Sequence, residues 1–393
     1  MAMLLTLCCF VLALAGVVIV AVQSGSLRRQ LEEPVRVARR LPPMSILKPL
    51  CGVDDDLCAN LECFAALDYP DYELLLGVAS AADAAYPVAC AAEARWPERF
   101  RVVLQRGEAG LNPKINQLVT LSQAARHGVL VVSDSNVRVE PGYLEEIAAA
   151  LEDPSVGLVT HAIRGAGAVA LGSRLDSIYL AAGISAGIVG AARVIGKTFV
   201  VGKSMALRRE DLAAIGGFAA FADVLAEDFA MGLAVRHDLG KRVALARRPV
   251  SNVTVDRSFR DFAKRYLRWS VLQRKGVGTP LYCCQALLHP AFFAAAGALA
   301  SPSGWSAAGA LGLWLAKLLV DARSVEALSG EEVSPRELGL FALKDAAILG
   351  CFLAGLVSDT VDWRGHALRV LPGTAIERPV EEPEADAGIA PAA

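Results

Sequence analysis

The sequence has few histidines and no cysteine pair at metal-ligand spacing. His127, His161, His237, His289 and His366 form no metal or triad pattern, and the nine cysteines, an odd number in apolar contexts, include no C-x-x-C. These absences exclude a zinc site and leave reduced, structural thiols in a cytosol-facing protein, with the histidines read as structural too. No sign of charge is in excess: 39 Lys and Arg face 41 Asp and Glu, for a net charge of −2. With a pI near 6.3, nucleic acid has no electrostatic case as a partner. Charged residues make up only 20% of the 393, against 54% hydrophobic, and the mean hydropathy is +0.42. That is too apolar for an ordinary soluble enzyme and too charged for a pure transporter, whereas a membrane-anchored enzyme fits both numbers.

Long apolar runs are present and divide the chain. Residues 3–22 carry no charge and are long enough to cross a bilayer as a helix. Arg28, Arg29, Arg36, Arg39 and Arg40 follow, a basic flank that stays cytoplasmic and places the start of the chain outside and the rest inside. The divisions are therefore an N-terminal transmembrane helix over 1–24, a basic juxtamembrane linker over 25–43 and a catalytic domain over 44–257. A basic amphipathic interfacial segment over 258–276 follows, then about three C-terminal membrane segments within 277–360 and a tail over 361–393 that ends in disorder from Glu377. Lys317, Lys344 and Asp345 sit inside the C-terminal apolar blocks, where ionisable groups face a bundle interior, a pocket or the interface. This is an integral, multi-pass protein with a cytoplasmic catalytic domain.

Within 44–257, strand patterns at Ser45–Leu47, Tyr72–Val78, Arg101–Leu104 and from Val129 alternate with single helices, which argues an α/β domain with a mostly parallel sheet. The apolar stretch from Leu171 to about Val189 reads equally as a core helix or one lying on the membrane. The focal stretch is Val129–Asn136, a buried strand that ends in Ser133-Asp134-Ser135-Asn136 and delivers Asp134 to the carboxyl edge of the sheet, where open α/β sheets bind ligands. Asp134 and Asn136 offer oxygen ligands to a divalent cation, Mg2+ or Mn2+, although an Asx-turn closing a core strand produces the same letters. Other acids able to meet at that edge are Asp83 and the Glu227-Asp228 pair at a helix start, and the arginines of Phe259–Lys275 suit phosphate oxygens.

The ordered motifs resemble one family. Ser45-Ile46-Leu47-Lys48-Pro49-Leu50, Leu67-Asp68-Tyr69-Pro70, Asn112-Pro113-Lys114-Ile115-Asn116, Asp134 in Ser-Asp-Ser-Asn, Asp228 in Leu-Ala-Glu-Asp-Phe and Arg265-Tyr266-Leu267-Arg268-Trp269 together resemble the ceramide glucosyltransferases, membrane-bound enzymes with a Rossmann-like GT-A catalytic domain. Asp362-Trp363-Arg364-Gly365 is similar to that family's tail.

The resemblance implies transfer of glucose from UDP-glucose to the primary hydroxyl of ceramide, with inversion. It implies Asp228 as general base, with Arg265, Arg268 and Trp269 holding the diphosphate and donor, and Asp134 with Asn136 at the metal. It also implies Asp83, Asp134, Lys114 and Asn116 as nucleotide-sugar contacts, and Glu227, the acid beside Asp228 at the same sheet edge, is read as a further one. Two departures stand out: Asp83 lacks the further acids and proline of the family pattern, and Asn136 stands where many GT-A enzymes place a second aspartate. The rival readings are another acceptor or sugar (a hopanoid, sterol or diacylglycerol, or UDP-N-acetylglucosamine) and a non-catalytic membrane scaffold.

Overall fold

The computed structural model describes residues 1–363 and 366–378, with the side chain of His366 left out. Arg364, Gly365 and residues 379–393 lie outside the described residues; the tail expected to be disordered from Glu377 starts instead with an ordered residue, since Glu377 ends the strand Ile376–Glu377 and pairs with Arg369 at 3.2 Å. The domain is built on a seven-stranded sheet in the order Phe100–Leu104, Tyr72–Val78, Met44–Pro49, Val129–Ser133, Ser204–Arg208, Val156–Thr160 and Arg242–Leu245. Every neighbouring pair is parallel except those made by Ser204–Arg208, which runs antiparallel to both its neighbours. Along the central strands, successive side chains alternate between the two faces of the sheet. Ile46, Leu74 and Val131 point into one hydrophobic layer, and Leu47, Leu75, Leu130 and Val132 into the other. A sheet buried on both faces explains why these strands read as unbroken apolar runs. The helices over Leu57–Ala65, Ala85–Arg95 and Pro113–Ala124 cover it.

Helix starts follow from side-chain chemistry. Asn112 Oδ1 accepts the backbone N–H groups of Lys114 (3.0 Å) and Ile115 (3.2 Å), and Pro113 occupies the first helical position, where its missing N–H costs nothing. Ser258 caps the Phe259–Val277 helix in the same way through the N–H of Asp261.

Among the described residues, three helical stretches are long and apolar enough to cross a membrane: Ala2–Glu32, Leu171–Val194 and Pro335–Val357. A bent pair, Thr279–Leu288 with Pro290–Ala300, makes a fourth if counted as one span, its halves meeting at 75°. Lys317 and Asp321 interrupt the apolar run of the Gly304–Ser329 helix.

Two boundaries differ from the sequence reading. The first helix runs on to Glu32, through the first part of the stretch expected as linker. Gly25-Ser26 does not break it because Ser26 Oγ donates back to the Val22 carbonyl, Leu27 is buried, and Gln30 donates to the Ala246 carbonyl of the catalytic domain. The open choice over Leu171 to about Val189 resolves toward the core: most of the Leu171–Val194 stretch is buried inside the protein, and Ser185 Oγ bonds both the N–H and the carbonyl of Ile163. The strands Thr360–Trp363, His366–Val370 and Ile376–Glu377 form a small three-stranded sheet, and Val361, Leu368, Val370 and Ile376 pack on Val271 of the Phe259–Val277 helix.

Candidate functional site

The strand Val129–Ser133 pairs antiparallel with Ser204–Arg208 in a register that sets Ser133 opposite Ser204. The next residue on one side is Asp134 and the preceding one on the other is Lys203, so the two charges face each other across the sheet edge. Lys203 Nζ lies 2.9 Å from Asp134 Oδ2 and donates to Asn136 Oδ1 at 2.8 Å. Lys114 Nζ reaches Asp134 Oδ1 at 2.9 Å, Glu227 Oε1 at 2.8 Å and the Gly202 carbonyl at 3.1 Å. Burial works to raise the Asp134 pKa, but the two ammonium groups outweigh it and hold the carboxyl well below its usual range. The side chain keeps 22% of its exposure, so the cluster opens to solvent. Beneath it, Lys48 Nζ donates to the Asp134 carbonyl (2.7 Å), Ser133 Oγ (3.2 Å) and the Val137 carbonyl (3.4 Å), and burial pulls its pKa down to about 7.

Asp228 hangs from the same turn. Its Oδ2 accepts the Gly202 N–H at 2.6 Å and its Oδ1 accepts the Phe229 N–H at 2.8 Å. A Cβ on Gly202 would lie 2.9 Å from Asp228 Oδ2, so glycine permits the approach. Burial, reinforced by the neighbouring Glu227 charge, pushes the Asp228 carboxyl up to about 6. The Gly202-Lys203 turn thus binds Asp228 by its N–H, Lys114 by its carbonyl and Asp134 by the next side chain.

The Phe259–Val277 helix closes a second side. Arg265, Arg257 and Tyr266 converge on the buried Asp176, at 3.4 Å, 2.8 Å and 2.6 Å. The guanidinium of Arg265 lies 4.9 Å over the Trp269 ring, a cation–π contact. Burial opposes the Arg265 charge, yet Asp176, Tyr266 and, at longer range, Asp134 raise its pKa, so this side chain is within the field of the Asp134 cluster. Arg268 turns the other way and donates to the Asp362 carbonyl at 3.2 Å. Its side chain is tied to the C-terminal sheet.

Asp83 and Asn116 stand apart from the cluster. Asp83 Oδ1 accepts the N–H groups of Gly52 (2.9 Å) and Ala85 (2.8 Å), where the Tyr72–Val78 strand leads into a helix. Asn116 is buried and folds the preceding loop: it accepts from the N–H groups of Ala109 and Gly110 and donates to the Gly110 carbonyl. Asn136 turns its amide nitrogen to Asn252 Oδ1 and the Val253 carbonyl, leaving Oδ1 to face Lys203.

Asp134 and Asn136 do share a cation, the ammonium of Lys203. Among the described residues no group of three or more His, Cys, Asp or Glu side chains gathers to hold a metal. One carboxylate and one amide oxygen suit a divalent ion only when a diphosphate brings further oxygens, which is how Mg2+ is usually held. Lys48, Lys203 and Asp176 went unnoticed as site residues in the sequence. The letters Val201-Gly202-Lys203-Ser204, a glycine-lysine pair entering a strand, were the one available signal for Lys203.

Ceramide glucosyltransferase 3 of Caenorhabditis elegans is 28% identical over 267 residues, 67% of this chain and 57% of that protein. Ceramide glucosyltransferase 1 of the same animal is 28% identical over 237 residues, covering 59% and 50%. The chain thus spans little more than half the length of these curated relatives. Among solved structures, the mannosyltransferase PcManGT from Pyrobaculum calidifontis, in complex with GDP-Man and Mn2+, superposes with a TM-score of 0.47 at 19% identity, over 88% of this chain and 99% of that one. The family model described as Glycosyl transferase family 21 matches residues 8–376. A match that runs from the first apolar helix to the C-terminal sheet takes in every element described above, and the chain belongs to glycosyl transferase family 21.

Proposed function

We propose that this chain transfers glucose from UDP-glucose to the primary hydroxyl of ceramide, with inversion, at the cytoplasmic face of a membrane. The observation that carries the reading is the single turn that joins Asp228 to Asp134 through Gly202, Lys203 and Lys114. A base and a diphosphate-neutralising cluster a few residues apart are what glycosyl transfer from a sugar nucleotide needs.

In this reaction Asp228 accepts the proton of the acceptor hydroxyl while that oxygen attacks the anomeric carbon. The bond from that carbon to the β-phosphate oxygen breaks, and its electron pair leaves with UDP. The ammonium groups of Lys203 and Lys114 turn from Asp134 toward the departing phosphate oxygens, and Arg265, braced on Asp176 and Trp269, supports that charge from the other side. Asp134 and Asn136 would hold Mg2+ or Mn2+, which would supply further positive charge to the diphosphate. The pKa of Asp228, about 6, leaves it ionised near neutrality and still basic enough to take a proton. Arg28 and Arg29 at the end of the first helix support the cytoplasmic orientation.

The test is transfer from radiolabelled UDP-glucose by the purified full chain in lipid nanodiscs containing ceramide, diacylglycerol, a sterol and a hopanoid. Label in glucosylceramide is the expected result. Label in another lipid, or transfer from UDP-N-acetylglucosamine instead, overturns the acceptor or the sugar. Intact UDP binding without any turnover overturns the enzymatic reading.

A further inference from the structure

A cavity of about 450 Å3 lies between the Pro290–Ala300, Gly304–Ser329 and Leu338–Val357 helices. Its walls are apolar, among them Ala291, Ala295, Leu311, Trp314, Ala346 and Leu349. Its volume is within the range of small-molecule sites. Lys317 and Asp345 line it, and both belong to an ion quartet: Lys317 and Lys344 each lie 2.6 Å from Asp321 Oδ2, and both also contact Asp345 Oδ1. The quartet is neutral, two lysines against two aspartates. Were its only task to tie the helices together, each carboxylate oxygen would be satisfied within it. Asp345 Oδ2 is not: it is buried and has no hydrogen-bond partner among the described residues. A buried carboxylate oxygen left open is an acceptor waiting for an N–H or O–H.

A second, smaller cavity of about 70 Å3 shares Leu288, His289, Lys317 and Asp345 with the first. Its lining adds Gln23, Tyr179, Ser270, Gln273 and Gln285. Ser270 and Gln273 sit one and four residues beyond Trp269 on the same helix, so the polar end of the apolar cavity backs onto the helix that carries Arg265 and Trp269.

We propose that this cavity is the binding site for a hydrocarbon chain of a ceramide-class lipid, an N-acylated long-chain amino alcohol, and that Asp345 Oδ2 accepts from its amide N–H or secondary hydroxyl. The inference rests on the acceptor reading above and deepens it. Apolar walls suit the chain, and the open acceptor selects a headgroup that can donate. A diacylglycerol has no amide N–H and offers only its one hydroxyl, so it competes less well.

The experiment places the full chain in phospholipid nanodiscs with a ceramide bearing a diazirine in its acyl chain, irradiates it, and maps the labelled residues by mass spectrometry. Label is expected on the cavity walls, at Leu311, Trp314 and Leu349. It should fall about tenfold or more in Ala346→Trp, which fills the cavity, with the KM for ceramide rising in parallel. The KM for UDP-glucose should stay unchanged. Leu311→Trp is the second variant, and retained UDP binding certifies that either one is folded. Unlabelled ceramide should compete more strongly than diacylglycerol. Label confined to the outward Leu299, Leu319 and Val357, label indifferent to both tryptophan variants, or equal competition by diacylglycerol overturns the inference. Glucosylceramide formation with no cavity label sinks this site and leaves the activity standing. Cavity label without glucosyl transfer does the reverse.

Discussion

Two clusters in this molecule have the same composition: two lysines against two acids. At the sheet edge, Lys114 and Lys203 face Asp134 and Glu227; between the C-terminal helices, Lys317 and Lys344 face Asp321 and Asp345. What differs is the support. Lys203 and Asp134 sit where strands give way to turns, and the Asp134 side chain is partly open to water. Lys317, Asp321 and Lys344 are 2–5% exposed on the sides of long helices. An ammonium at a solvated turn can leave one anion for another at small cost, because water replaces what it loses. An ammonium deep between helices cannot, because removing its partner strands a charge in a low dielectric. The same chemistry therefore serves exchange in one place and fixed structure in the other.

The comparison can be broken in several ways. The largest effect is expected at Asp228, the base that hangs beside the sheet-edge cluster on the Gly202 N–H and has no counterpart in the inner quartet. Asp228→Asn should lower kcat for glucosyl transfer by roughly 10²–10⁴-fold while UDP affinity, measured by calorimetry, barely moves. Normal turnover would remove Asp228 from its role. Next comes Lys317→Ala, which should cost about 3–5 kcal/mol of stability, read as a large fall in Tm, with UDP affinity unchanged in whatever protein remains folded. An unaltered Tm would mean that the inner quartet is as exchangeable as the outer one.

Lys203→Ala should do the opposite. It should fold normally and weaken UDP binding by about 10–100-fold, the range expected for loss of a charged hydrogen bond. In Asp134→Ala, the dependence of UDP binding on added Mg2+ or Mn2+ should disappear, and its persistence would move the cation elsewhere. The smallest effect is a pH shift. A base works only when unprotonated, and burial together with Glu227 places the Asp228 pKa at about 6, so kcat/KM should rise with pH through about 6 and be lost below it. Glu227→Gln removes the like charge and should slide that limb to lower pH. A limb that stays in place would assign the titration to another group.

Much of the fold was legible because it rests on local rules. The strand Val129–Ser133 and the helix that begins at Pro113 are dictated by an apolar run and by an Asn-Pro cap. The acids Asp134, Glu227 and Asp228 also stood out, since each ends or begins an element. Their lysine partners did not. Lys48 is one basic residue among 39 and sits inside a strand pattern, where a lysine ordinarily marks a solvated face; here it is fully buried and turned onto three oxygens. Asp176 was visible as a stray charge in an apolar stretch, but nothing local ties it to Arg257 and Arg265, more than 80 positions away. Asn116 lay within a family motif, and the fold uses its side chain to brace a loop.

The sequence by itself determined the periodicities: which segments are strands, which are helices, where apolar length suffices for a membrane, and which acids terminate elements. Those properties depend on neighbours within one or two turns of chain. Tertiary structure alone decided which charges meet. The antiparallel insertion of Ser204–Arg208 beside Val129–Ser133 brings Lys203 to Asp134, and the packing of Phe259–Val277 against Leu171–Val194 brings Arg265 to Asp176. Ion pairing falls off over a few ångströms of space and is indifferent to separation along the chain, so it becomes visible only once the chain has folded.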